Sequence, residues 1–131
     1  MKIKEVIDYL QFYKKFKEKT KDMAINAIVA YRLTRIENLL APVQETYYST
    51  VRDIIYKNGE LDENGNIKLS EDKNNVCIKP DKIEETNKAL IELQESDCGV
   101  DIEKYKIELS YFENSQFSLE DMNNFQIVIK D

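Results

Sequence analysis

Residues 22–57 read DMAINAIVAYRLTRIENLLAPVQETYYSTVRDIIYK. Met23, Ala27, Ala30, Leu33, Ile36, Leu40, Val43, Tyr47, Val51 and Ile54 step by three and four along this stretch. The spacing is close to a heptad seam and predicts one long helix from about Asp22 to Lys57. Pro42 sits inside it; a missing N–H and a ring that crowds the preceding turn predict a kink or a division near Leu39–Ala41. Thr20 or Asp22 is placed to cap the start. Asn58-Gly59 is placed to end the helix, with Gly59 in the left-handed C′ position. A seam this long outruns what one small domain has to cover, so a homo-oligomer built through the second helix is expected.

Upstream, Ile3, Val6, Ile7, Leu10, Tyr13 and Phe16 predict a first helix over about Ile3–Lys19. Downstream, Leu61-Asp62-Glu63-Asn64-Gly65-Asn66-Ile67 predicts a turn in a short β-hairpin, with Asn64-Gly65 supplying the two positive-φ positions of a type I′ turn. Val76–Lys79 reads as a short strand. Pro80 and Asp81 open a third helix, with Ile83, Asn87, Leu90 and Leu93 or Gln94 as its stripe to about Ser96. Val100–Ile102 reads as extended, and Tyr105, Ile107, Leu109 and Tyr111 alternate as on one face of a strand. Ser118 is placed to cap a short helical turn with Asp121 reaching back. Phe125–Ile129 reads as a strand or a last helical turn, with β-branched content favouring strand.

The expected fold is therefore α+β. An N-terminal antiparallel helical hairpin and a third helix pack on a small antiparallel sheet drawn from residues 60–79 and 100–130. With 131 residues the chain suits a single domain. Residues 1–58 form the helical hairpin, and 59–131 supply the β-hairpin, the helix and the C-terminal strands.

Composition excludes several chemistries. There is no histidine, which removes the commonest general base and nitrogen ligand. Cys77 and Cys98 are the only cysteines, too few for a zinc site without histidine. No cofactor, no metal and no enzymatic activity are expected. No apolar run approaches the ~20 residues that a bilayer needs, so no membrane association is expected. Acidic residues interrupt Met1–Asp8 early, unlike a secretory leader; with two thiols read as reduced, a cytoplasmic protein is expected.

Motif-like stretches are weak. Ser70-Glu71-Asp72-Lys73 spells S-x-x-K, but it lies in a polar loop without the further signatures such serine enzymes carry. In Asp62–Asn66 the glycine is fourth rather than sixth, so the stretch is a turn and not a calcium loop. Gly59 and Gly65 have phosphate-loop spacing, but Asn66 follows where lysine is required.

Charge is uneven. Residues 1–58 carry eleven Lys/Arg and seven Asp/Glu, net +4; residues 59–80 carry three and five, net −2; residues 81–131 carry five and thirteen, net −8. The halves can attract each other in the fold, or mark an anionic partner at one end. Two surfaces stand out for binding. One is Phe12–Lys21, where Lys14, Lys15 and Lys19 interleave with aromatics. The other runs down the second helix as Tyr31, Arg32 and Arg35, then Tyr48 and Arg52, residue types that anchor interfaces. These eight are the candidate ligand- or partner-binding residues.

Three stretches carry a resemblance. They are Ala30-Tyr31-Arg32-Leu33-Thr34-Arg35-Ile36-Glu37-Asn38-Leu39-Leu40, Ile55-Tyr56-Lys57-Asn58-Gly59-Glu60-Leu61-Asp62-Glu63-Asn64-Gly65-Asn66, and Phe117-Ser118-Leu119-Glu120-Asp121-Met122. Together they resemble a family of small uncharacterised bacteriophage proteins with an N-terminal helical hairpin. The resemblance implies a viral origin and transfers no catalytic residue. The expectation that follows is a non-enzymatic interaction protein, phage-encoded, that binds and inhibits a host defence protein. The alternatives are an oligomeric sponge for a small anionic, nucleotide-like ligand, and a virion structural or assembly factor.

Overall fold

The structure, a computed structural model, describes residues 1–113 and 115–131. Four α-helices lie among them: α1 (Ile3–Thr20), α2 (Ala27–Lys57), α3 (Ile83–Glu95) and α4 (Leu119–Phe125). Short 3-10 turns cover Pro80–Lys82, Glu103–Tyr105, Leu109–Phe112 and Gln126–Val128. Among the described residues the protein is helical at 63%, with 8% in strand or bridge and no sheet, which overturns the expected α+β fold. Extended segments meet only as isolated bridges among the described residues: Lys2 with Asp97, Gly59 with Ile78, Leu61 with Ile67, Leu69 with Val76, and Ile107 with Ile129.

The physical reason is clearest at residues 100–112. The alternation from Tyr105 to Tyr111 would bury four side chains on one face. Only Ile107 is buried, while Leu109 and Tyr111 are exposed. The residues that enter the core are Ile102, Ile107 and Phe112, five apart, a spacing that neither strand nor helix repeats. The backbone accordingly turns between them in 3-10 steps. Ile129 also closes the chain on a single bridge rather than in a strand. Asn114, within the expected sheet range, lies outside the described residues.

Helix starts and ends follow capping chemistry. Asn26, not Thr20 or Asp22, begins α2: its Oδ1 accepts from Ile28 N at 2.8 Å and Val29 N at 3.3 Å. Thr20 instead closes α1, its hydroxyl donating to the Phe16 carbonyl at 2.7 Å. Ser118 and Asp121 form the expected capping box of α4. α2 continues through Pro42 instead of dividing. Asn38 and Pro42 are both exposed, so the carbonyl that loses its helical donor sits on the solvent side, where water replaces it.

Two glycines have different reasons. Gly65 has φ +79° in the Asp62–Asn66 turn, but Asn64 has no positive φ, so the turn is not type I′. Asp62 holds it instead, its carboxylate accepting from the N–H groups of Asn64 and Asn66 at 2.9 Å each. Gly59 is not left-handed. Space around it is tight: a Cβ there would lie 3.0 Å from Val76 Cγ1 and 3.2 Å from Ile67 Cδ1, so those side chains would have to shift by a few tenths of an ångström.

The described residues form two compact units, Met1–Gln44 with Asp97–Asp131, and Glu45–Ser96. The first has a full core. Val6, Tyr9, Leu10, Tyr13 and Phe16 of α1 pack with Val29, Leu33, Ile36 and Leu40 of α2 and with Ile107, Phe125 and Val128. An aromatic cluster closes it: Phe125 meets Phe16 edge-on at 4.9 Å and Phe12 at 5.0 Å, and Phe117 meets Phe16 at 5.0 Å. In the second unit, the second part of α2 and α3 are joined by Gln94 Nε2 donating to Tyr47 Oη at 3.1 Å.

Candidate functional site

Of the eight sequence-selected residues, Lys14, Lys15, Lys19, Tyr31, Arg32 and Arg35 belong to the first unit and Tyr48 and Arg52 to the second. Lys14 and Lys15 are exposed on α1 and line a shallow groove with Gln11 and Glu18. Lys19 is engaged in the fold, its ammonium 2.9 Å from both carboxylate oxygens of Asp121. Burial would raise the Asp121 carboxyl, but Lys19 and the Ser118 cap outweigh it and hold it below its ordinary value. Arg32 Nη1 donates to the Lys106 carbonyl at 2.8 Å and the Lys104 carbonyl at 3.4 Å. Arg35 Nη2 donates to Tyr105 Oη at 2.9 Å, and its guanidinium lies 5.2 Å from the ring centre. That hydrogen bond, with the charge behind it, draws the Tyr105 hydroxyl below its usual range. Lys19, Arg32 and Arg35 therefore tie α1 and α2 to the C-terminal segment. Tyr31 stands 62% exposed beside this arrangement.

In the second unit, Tyr48 and Arg52 are exposed on the second part of α2, with Tyr56 a further turn along. The three are four residues apart, so each step rises about 6 Å on one helix face. Tyr48 is held against Tyr47 at 5.6 Å between ring centres. Their inward counterparts Tyr47, Val51 and Ile54 are only half-buried, although they continue the stripe that buries Leu33, Ile36 and Leu40.

This local pattern holds for the whole second unit. Of the sixteen buried hydrophobic residues among the described residues, none falls between Glu45 and Ser96. The buried residues there are Asn58, Gly59 and Thr86. Tyr48, Tyr56, Leu61, Leu69, Ile83 and Ile91 are 44–59% exposed. On α3, Thr86, Leu90 and Leu93 face inward, while Ile83 and Ile91 face out. Sequence reading missed Tyr56, Ile83 and Ile91. Ile91 did carry a signal: it falls off the apolar stripe of its helix and has Glu92 beside it.

The first unit holds a cavity of about 660 Å³ with Glu5, Asp8, Asp101, Glu103, Lys106 and Tyr9 in its lining. Among the described residues, no three His, Cys, Asp or Glu side chains group as metal ligands. The Tyr9 hydroxyl is buried without a hydrogen-bond partner. Burial first, then Tyr13 and Glu37, push it far above the tyrosine range; burial and Glu37 push Tyr13 to about 12. Both hydroxyls stay protonated near neutral pH and do not act as bases there. In the S-x-x-K stretch, Ser70 donates its hydroxyl to Asp72 rather than meeting a lysine.

Among the described residues, no helix is long and apolar enough to cross a membrane. No protein-family model, curated protein or solved structure matches the chain.

Proposed function

We propose that this chain is a non-enzymatic interaction protein, and that residues 45–96 bind its partner. The observation that carries the reading is the second unit's lack of any buried hydrophobic side chain, while six large apolar ones stand exposed. Fully burying such a side chain stabilises by roughly 1.5–3 kcal/mol, so a partner that covers several of them supplies a strong driving force. Tyr48, Arg52 and Tyr56 have the residue types that dominate interface energetics. The host-directed form of the proposal is a phage-encoded inhibitor that occupies a host defence protein through this surface.

The test uses the full-length chain as bait in host lysate, beside a Tyr48→Ser/Tyr56→Ser variant and a Lys14→Ser/Lys15→Ser variant. The expected result is a stoichiometric partner that the tyrosine variant loses and the lysine variant keeps. A partner retained by the tyrosine variant and lost by the lysine variant would move the site to α1 and sink the assignment.

A further inference from the structure

We infer that the surface α3 presents fits a basic-rimmed apolar groove on another protein; the inference rests on the interaction reading above. α3 repeats one pair two turns apart: Ile83-Glu84 and Ile91-Glu92. Both isoleucines and both glutamates are exposed, the isoleucines at 49% and 59%. Eight residues of helix place the two pairs about 12 Å apart along the axis and about 80° apart around it, so they run obliquely across the exposed side. A matching groove has two apolar recesses at that spacing, with Lys or Arg beside each, the helix-in-groove mode of recognition.

Charge selects this occupant. The second unit carries seven Lys/Arg against twelve Asp/Glu, a net −5. The first carries twelve against thirteen, a net −1. α3 has Glu84, Glu85, Glu92 and Glu95 against Lys88, and Lys82 just before it pairs with Glu85 at 3.1 Å, which leaves Glu84 and Glu92 beside the two isoleucines. A nucleic acid or an anionic lipid surface is repelled by this face. A second copy seated on it sets like charge against like, which opposes the contact. A basic protein surface gains both the apolar burial and the complementary charge.

The test titrates isotope-labelled full-length chain with a Leu/Lys amphipathic peptide of about 18 residues, and with a Leu/Glu peptide of the same pattern. The Leu/Lys peptide is expected to shift the amides of residues 83–95, and the Leu/Glu peptide to leave them unmoved. A Glu84→Gln/Glu92→Gln variant is expected to weaken binding roughly tenfold, and added salt to do the same. An Ile83→Ser/Ile91→Ser variant is expected to abolish it. Equal binding of both peptides, shifts centred on the Glu5–Asp8–Asp101 cavity, or a dimer closing on α3 in sedimentation would each overturn the inference. If the serine variant loses the peptide and the glutamine variant keeps it, the basic partner falls and the interaction reading stands. If neither variant weakens capture of the native partner, this inference falls, while the assignment of residues 45–96 is decided separately by the Tyr48→Ser/Tyr56→Ser variant.

Discussion

The two units of this protein solve the burial problem differently. In residues 1–44 and 97–131, α1, α2 and α4 surround one apolar core that reaches zero exposure at Val6, Ile36, Leu40, Ile107, Phe125 and Val128. In residues 45–96 the same long helix continues with an equally regular stripe, yet nothing apolar is fully covered. Periodicity alone therefore does not say whether a stripe is core or contact surface. What differs is the supply of covering residues. Segments 100–112 and 119–129 bring Ile102, Ile107, Phe112 and Phe125 onto the first unit. The second has α3 and loops whose large apolar residues Leu61, Leu69, Ile83 and Ile91 stand exposed instead of closing over the stripe.

Substitutions sharpen this contrast, and the largest effect belongs to the core. Phe125→Ala should cost about 3–5 kcal/mol of unfolding free energy in denaturant titration, because a cavity opens among Phe12, Phe16 and Phe117. A loss under 1 kcal/mol would show that this cluster is not the packed centre.

Asp121→Asn should cost about 1–2 kcal/mol, since it weakens the Lys19 pair and the α4 cap together. Its pH dependence follows from the depressed Asp121 carboxyl. The folded state favours the ionised form, so the contribution is complete above the unfolded value near 3.8 and fades as pH falls through the lower folded value. Stability of the Asn variant should therefore decline less steeply below pH 4 than that of the parent. Parallel acid profiles would contradict this role.

Gly59→Ala should cost about 1 kcal/mol, as Val76 and Ile67 must give way. The effect should appear as faster amide exchange over residues 59–78. An unchanged or slower rate would mean that the loop packing yields freely.

The smallest stability effect is expected on the exposed face. Ile83→Ser/Ile91→Ser should leave the melting free energy within about 0.5 kcal/mol while changing partner binding. A cost comparable with Phe125→Ala would place these residues in a core.

The helices were legible in sequence because their signals are local. α1, α2 and α3 show three-and-four spacing over many turns, and Ser118 with Asp121 spells its own cap. Residues 100–112 were not, since alternation at 105–111 imitates a strand while the core is reached by Ile102, Ile107 and Phe112. The hairpin at 61–67 was placed correctly but given the wrong turn, because Asp62 rather than a second positive φ holds it.

The site was legible only in part. Tyr48 and Arg52 are conspicuous by type. The roles of Lys19, Arg32 and Arg35 were hidden, because their partners lie 70 to 102 residues away in the chain. The charge split was also recast: a front half at +4 and a back segment at −8 become units at −1 and −5. The acidic surplus thus gathers in residues 45–96, which hold six of the twelve large apolar residues exposed among the described residues, rather than at one end of the sequence.

Residue-resolved hydrogen exchange on the free full-length chain tests the central claim most directly, that residues 45–96 lack a core of their own. Amides of α1, the first part of α2 and α4 should exchange only through global opening, while those of α3 exchange through openings of much lower free energy. If the α3 amides fall in the same slowest class as those of Leu33 and Ile36, the second unit has an independent core and the account is wrong.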